Sequence, residues 1–421
     1  MGSHRSMTVA EKYYTLLDQC WPANVLISAD LDRCFDVEFV AQRWQEFRAR
    51  RVLARTVARE DLTIADAGTD GDFFSTRELT EDLWDAVFDE EAAIRYDLGT
   101  PLRLRYLRST TEGSSRVLFV GHHSFFDGRI GISEIQTFVR FLDGQDIPEQ
   151  QSLSEAPQTR QDYPWQQDRR EMIEVLRDLK SRSVEVGAPG PDWWPDVSGE
   201  RRSRLQLMIF DAERASSLVK AGKVHGSGAF STVGAAWLVS VARHLCAADP
   251  TAALHLSVPA DVSLPSDDPG RPPSMAVAVL GRPYRVDTED VWGLATEVAS
   301  TIKEALGRGE ADLFFHLTRV EHVVDLVAGK ALVAAALASG PPCVVVSNMG
   351  VVDPGTDPEW LRFVSGQLPS APNQVVFAAT LNYRGLLVHN ISTDDNRLPP
   401  EQLATLIDGY LDLVQTMSAS S

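Results

Sequence analysis

The chain reads as strand up to Gly121 and as helix after Gly128, and the residues at the change are His122-His123-Ser124-Phe125-Phe126-Asp127-Gly128. Before the junction, Val117 to Val120 is a continuous apolar run. After it, Ile132, Ile135, Phe138, Val139 and Leu142 fall on one helical stripe. A strand shows successive side chains on opposite faces, so two adjacent histidines at its end cannot share one task. One ring faces a cleft and the other faces packing. A free imidazole titrates near neutrality and can take a proton from an attacking alcohol or amine. Asp127 can end the strand and hold the turn through a charge-assisted bond, and Gly128 lets the backbone bend closely.

The same periodicities extend on both sides. Leu102 to Tyr106 alternates with period two, Thr110 to Ser115 is a polar turn around Gly113, and Arg116 to Gly121 is the partner strand. Val25 to Leu31 is a further strand. Asp36 caps a helix whose apolar positions are Val37, Val40, Trp44 and Phe47. The other face of that helix carries Arg43, Arg48, Arg50 and Arg51. It reads as a solvated face, with an anion-binding patch as the alternative. From Asp143 to Glu200 Pro, Gln, Asp, Arg and Gly dominate, apart from a helical piece around Met172 to Leu179. This stretch is expected to cross between lobes, with Trp193 and Trp194 packing against one of them.

A second series follows. Strands are expected at Leu205 to Ile209, Leu254 to Val258, Ala276 to Leu280 and Cys343 to Val346. Helices are expected at Ala212 to His225, Val233 to Cys246 and Val291 to Leu306. Val375 to Leu381 and Leu386 to Ile391 flank Asn382-Tyr383-Arg384-Gly385 as a hairpin, and an amphipathic helix from Leu403 to Val414 closes the chain. Strands alternating with helices in both halves indicate an α/β protein of two lobes, residues 7–185 with the crossover and residues 186–421.

Composition narrows the partners. A formal charge of −19 argues against nucleic acid and against anionic membranes. Four cysteines without C-x-x-C spacing argue against a disulfide scaffold or a zinc ribbon and suit the reduced cytoplasm; no metal site is expected. No apolar run of about twenty residues is present, so no spanning helix is expected. Met1-Gly2-Ser3-His4-Arg5-Ser6 reads as a cloning remnant outside the fold, with Met7 as the native start.

These residues carry a likeness. The chain resembles the chloramphenicol-acetyltransferase-like superfamily, which includes nonribosomal-peptide condensation domains and polyketide-associated acyltransferases. His122-His123-x-x-x-Asp127-Gly128 matches the family signature in full. Tyr96 to Leu102 is similar to the segment leading into the hairpin before it. Pro259-Ala260-Asp261-Val262 is similar to the family's P-V-D-L, and Ser347-Asn348-Met349-Gly350 to a strand-end motif of stand-alone members. The subgroup it is most similar to is the polyketide-associated one that includes phthiocerol dimycocerosyl transferase. Two features depart from the pattern. Ser263 stands where an Arg often follows P-V-D-L, and no D-F-G-W motif occurs.

The resemblance implies two similar lobes, each a central mixed sheet flanked by helices, with a tunnel between them and the signature histidine near its middle. It implies an O-acyltransferase working in a ternary complex. The donor would be an acyl-CoA or acyl-carrier thioester, with no permanently bound cofactor. The acceptor would be a hydroxyl of a polyketide, lipid or other natural product. In those terms His123 is the general base, and His122, Asp127 and Gly128 are structural, with Asp127 paired to an Arg. Ser347 or Asn348 is an oxyanion donor or tunnel residue, although Asn348 serves equally well as a strand terminator. No Ser or Cys nucleophile sits in a recognised motif, so transfer is expected to be direct. A monomer is expected. Two other functions stand beside this one: a free-standing condensation enzyme making an ester or amide from a carrier-bound donor, and a non-catalytic binding homologue.

Overall fold

The computed structural model describes residues 3–419 except 112, 154–155, 157–158, 160–162, 187–201, 247–252 and 264–274. In chain order the first half forms β1 (His4–Ser6), α1 (Val9–Cys20), β2 (Asn24–Leu31), α2 (Val37–Arg50), β3 (Thr56–Ala58), β4 (Thr63–Asp66), β5 (Phe74–Leu79), α3 (Trp84–Ala93), β6 (Arg103–Ser109), β7 (Ser115–His122), α4 (Gly128–Leu142), α5 (Pro164–Gln167) and α6 (Arg169–Val186). The second half forms β8 (Ser203–Phe210), α7 (Ala212–Val224), α8 (Ala229–Leu245), β9 (Ala253–Asp261), β10 (Val277–Arg285), α9 (Val291–Gly307), α10 (Glu310–Thr318), α11 (Leu326–Ser339), β11 (Cys343–Val352), β12 (Leu361–Gln367), β13 (Gln374–Tyr383), β14 (Leu386–Asp394) and α12 (Pro400–Ala419).

Helix starts follow side-chain capping. Asp36 accepts from the amides of Glu38 and Phe39, Asp127 from Ile130, and Asp211 from Arg214, which satisfies amides that the first turn leaves free. At α1, Thr8 and Glu11 form a reciprocal capping box. The apolar stripe expected after the histidines is buried along α4, against the Trp44 and Phe47 face of α2 and Phe119 of β7.

Two mixed sheets organise the molecule. The first runs β12-β2-β7-β6-β5 and the second β10-β9-β11-β13-β14-β8. Helices flank both, so each half is an α/β lobe. The first sheet is not built from the first half alone. β12 pairs antiparallel with β2, from Leu361 opposite Leu31 to Gln367 opposite Leu26. A division at residue 185 therefore leaves out one strand of the first sheet. The Trp193–Trp194 pair lies outside the described residues.

One segment left out of the expected fold takes part in it, and one expectation is corrected. His4–Ser6, set aside as a remnant, pairs with residues 63–65 as an edge strand. The arginine face of α2 is not uniformly solvated. Arg48 is fully buried and donates to the carbonyls of Thr69, Asp70 and Gly71, and Arg51 is buried against Glu134 of α4. Arg43 pairs with Glu46 and Arg50 with Asp146. A guanidinium carries five donors, so a buried one is tolerated where carbonyls or a carboxylate take them. With those donors used within the protein, the anion patch has no support.

Candidate active site

The two histidines end β7 and separate as the strand geometry requires. His122 points into packing. Its Nδ1 accepts from the Ser124 amide at 3.1 Å and lies 2.8 Å from the Ser124 hydroxyl. The ring proton therefore sits on Nε2, which faces Asp18 Oδ2 at 3.5 Å. Asp18 is fully buried on α1, and its Oδ1 accepts from the Ala23 amide.

His123 lines a cavity of about 400 Å³. The Tyr14 ring lies over its imidazole, with ring centres 3.8 Å apart and planes tilted by 31°. Nδ1 is turned into the protein without a regular hydrogen bond, which leaves the Nε2 edge for the cavity. Burial pushes the His123 pKa down to about 3, with His122 adding to the shift; the carbonyls of His123 and Phe126 act in the opposite sense. The ring is neutral at physiological pH and can accept a proton. Tyr14 and Asp18 stand one helical turn apart, so one face of α1 covers both histidines.

Asp127 does not pair with an arginine. Its carboxylate caps α4, and no ion pair to it occurs among the described residues. Burial pushes its pKa up to about 6, with Asp261 adding to the rise and the Ile130 amide and Arg129 opposing it. Arg129 instead reaches Asp261 at the end of β9, 3.3 Å away, across the cavity mouth. Gly128 is present for a reason other than the turn, since its φ is not left-handed. A Cβ there would stand 2.8 Å from the Met349 sulfur of β11, so the glycine lets the two lobes approach.

The second sheet forms the cavity floor. Alternate residues share one face of a strand: His255, Ser257 and Pro259 of β9, and Cys343, Val345 and Ser347 of β11. Ser347 and Asn348, expected at the tunnel, both line it. Asn348 spends its Oδ1 on the Gly350 amide at 3.0 Å, beside a register break in β11. The bond sits at an irregularity inside β11, which runs on to Val352, so Asn348 does not terminate the strand.

Some participants escaped the sequence reading. Tyr14 and Asp18 lie on a helix that it did not draw; a carboxylate inside an apolar helical stripe was the available signal. His255, set aside with the remaining histidines, lines the cavity, and burial pushes its pKa down to about 4. His389, read as structural, accepts from the Trp237 indole at 3.0 Å, beside the directly stacked Trp237 and Tyr410 rings. Among the described residues no group of three or more His, Cys, Asp or Glu could hold a metal ion. Likewise, no helix is long and apolar enough to cross a membrane.

Two mixed sheets facing one shared cavity define the chloramphenicol-acetyltransferase-like fold of condensation domains and acyltransferases, and solved structures agree. Polyketide synthase associated protein 5 from Mycobacterium tuberculosis superposes with a TM-score of 0.62 at 15% identity, covering 99% of this chain and 100% of that one. The trichothecene 15-O-acetyltransferase of Fusarium sporotrichioides gives 0.68 at 14%, covering 99% and 95%. The cyclization-docking bidomain of a nonribosomal peptide synthetase from Sorangium cellulosum gives 0.64 at 14%, covering 99% and 85%. Residues 199–382 match the family model of the phthiocerol/phthiodiolone dimycocerosyl transferase C-terminus. No curated protein sequence matches the chain.

Proposed function

We propose that the protein transfers an acyl group from a CoA or carrier-protein thioester to a hydroxyl of a polyketide, lipid or other natural product. The observation that carries this is the neutral His123 lining a cavity shared by both lobes. The acceptor hydroxyl gives its proton to His123 Nε2 as its oxygen bonds the thioester carbonyl carbon. The tetrahedral oxyanion collapses, the C–S bond breaks, and the imidazolium returns the proton to the departing thiolate. General-base assistance of this kind contributes about 10²–10⁴-fold. Burial disfavours the imidazolium, but the oxyanion formed beside it offsets that cost, because an opposite charge within a few ångströms favours the charged form. His122, Asp127 and Gly128 keep the junction in shape. The apolar wall, with Leu17, Phe314, Leu337 and Phe377, suits an acyl chain. The family match within the second half supports transfer to oxygen.

The test supplies acetyl-CoA, octanoyl-CoA and octanoyl-carrier protein as donors, with 1-octanol and octylamine as acceptors, to wild type and His123→Ala. Ester formation that disappears in a folded His123→Ala supports the reading. Amide formation alone, from the carrier donor alone, would favour a free-standing condensation enzyme. Undiminished turnover by His123→Ala would overturn the assignment of the base.

A further inference from the structure

We propose that Tyr14 is a catalytic residue whose hydroxyl donates a hydrogen bond to the carbonyl oxygen that gains negative charge during transfer. The inference rests on the acyl-transfer reading above and adds the donor that the reaction requires.

The argument begins with reach. A base and an oxyanion donor act on atoms one bond apart, so they must converge on one small volume. The Tyr14 ring lies over the His123 ring with centres 3.8 Å apart. The phenol oxygen, one bond beyond that ring, is thereby held within a small molecule's width of the imidazole. Tyr14 lines the same cavity as His123.

Next comes availability. Tyr14 is only 5% exposed, yet its hydroxyl has no hydrogen-bond partner among the described residues. The oxygen is not sealed off in the core, unlike that of Tyr410, so the hydroxyl stays open to the cavity that Tyr14 lines. Burial, Tyr13 and Asp127 hold its pKa well above the ordinary phenol value, so the group remains a donor throughout the working range. The groups facing it leave it free. Asp127 is occupied in capping α4, and Tyr13 meets Tyr14 edge-on, with ring centres 5.2 Å apart. Of the two donors expected from the second lobe, Asn348 is exposed, with its Oδ1 turned to the Gly350 amide.

Finally, α1 is anchored. Asp18 beside His122 and the edge-on contact of Tyr13 with Phe314 hold the helix on both sides of Tyr14. A donor fixed before the substrate arrives needs no reorganisation when charge develops.

The test is Tyr14→Phe, which keeps the ring over His123 and removes only the hydroxyl. CoA release from octanoyl-CoA with 1-octanol is measured beside His123→Ala. The expected result is a fall in kcat on the order of 10²–10³-fold, with KM within twofold and an unchanged melting temperature. A kcat within twofold of wild type, or a raised KM at constant kcat, would overturn the proposal. Tyr14→Leu, which removes ring and hydroxyl together, guards against a purely positional role. If Tyr14→Phe is active and only Tyr14→Leu is impaired, the ring matters and the hydroxyl does not, and the proposal fails. His123→Ala separates the two ideas: its retained turnover would remove the base, whereas its loss beside a fully active Tyr14→Phe would remove only the donor.

Discussion

His122 and Asp18 face one another inside the first lobe, with Nε2 and Oδ2 3.5 Å apart and neither atom bonded elsewhere. The contact ties α1 to the end of β7 and so sets where Tyr14 lies over His123. Replacing Asp18 with Ala removes this contact and leaves the Ala23 amide without its acceptor, which costs about 1–3 kcal/mol. Denaturant unfolding measures this. A midpoint equal to that of wild type would remove Asp18 from the anchoring of α1.

Asp127 offers a test against pH. Its folded-state pKa of about 6 lies above the ordinary carboxylate value, so the folded state holds the proton more tightly than the unfolded state. That contribution to stability is fully present below about pH 4 and is lost as pH rises through about 6. The loss is on the order of 2–3 kcal/mol. Asp127→Asn keeps a good cap and removes the charge. It is expected to flatten the stability profile between pH 4 and 6 relative to wild type and to melt no lower at pH 7. Comparing the two proteins isolates Asp127 from Asp89, whose pKa burial also pushes up to about 6. Parallel profiles would refute the assignment.

His123 makes a complementary prediction for rate. Lowered to about 3, it is already neutral at pH 5. Turnover should therefore show no acid limb from this ring between pH 5 and 8. A limb near pH 6 that disappears in Asp127→Asn would belong to the cap. One that persists there would mean that His123 titrates in its ordinary range.

Gly128 is expected to accept a methyl group only if the Met349 side chain shifts. Gly128→Ala should cost about 1 kcal/mol, at the low end of overpacking because the crowding atom lies toward the end of a flexible side chain, and Met349→Ala in the same chain should return part of it. Additive losses in the double variant would show that the two residues do not meet.

How far the sequence was legible depends on range. The strand–helix junction at His122 to Gly128 was readable because the apolar run, the Asp-Gly turn and the helical stripe all lie within a few residues. The cap at Asp36 and the hairpin around Asn382 to Gly385 were readable for the same local reason, whereas Asp127 was read as a turn residue and not as a helix cap. What brings the cavity together is not local. Tyr14 and His123 are more than a hundred positions apart, and no periodicity marks one as the cover of the other. The arginines of α2 looked solvated because the carbonyls that take Arg48 belong to the loop near residue 70, which the helix pattern does not reveal. Asp127 was expected to bind an arginine, yet the neighbouring Arg129 turns to Asp261 on the other lobe.

The strand Leu361–Gln367 has a practical consequence for engineering. Because it completes the opposite half's sheet, neither half is a transplantable module. A hybrid joining residues 1–200 to a relative's second half would place a foreign edge beside β2, and that edge would have to reproduce the match of Leu361 to Leu31 and Gln367 to Leu26. A slip of one residue would turn the edge's inward side chains outward and spoil the seam on which both halves depend.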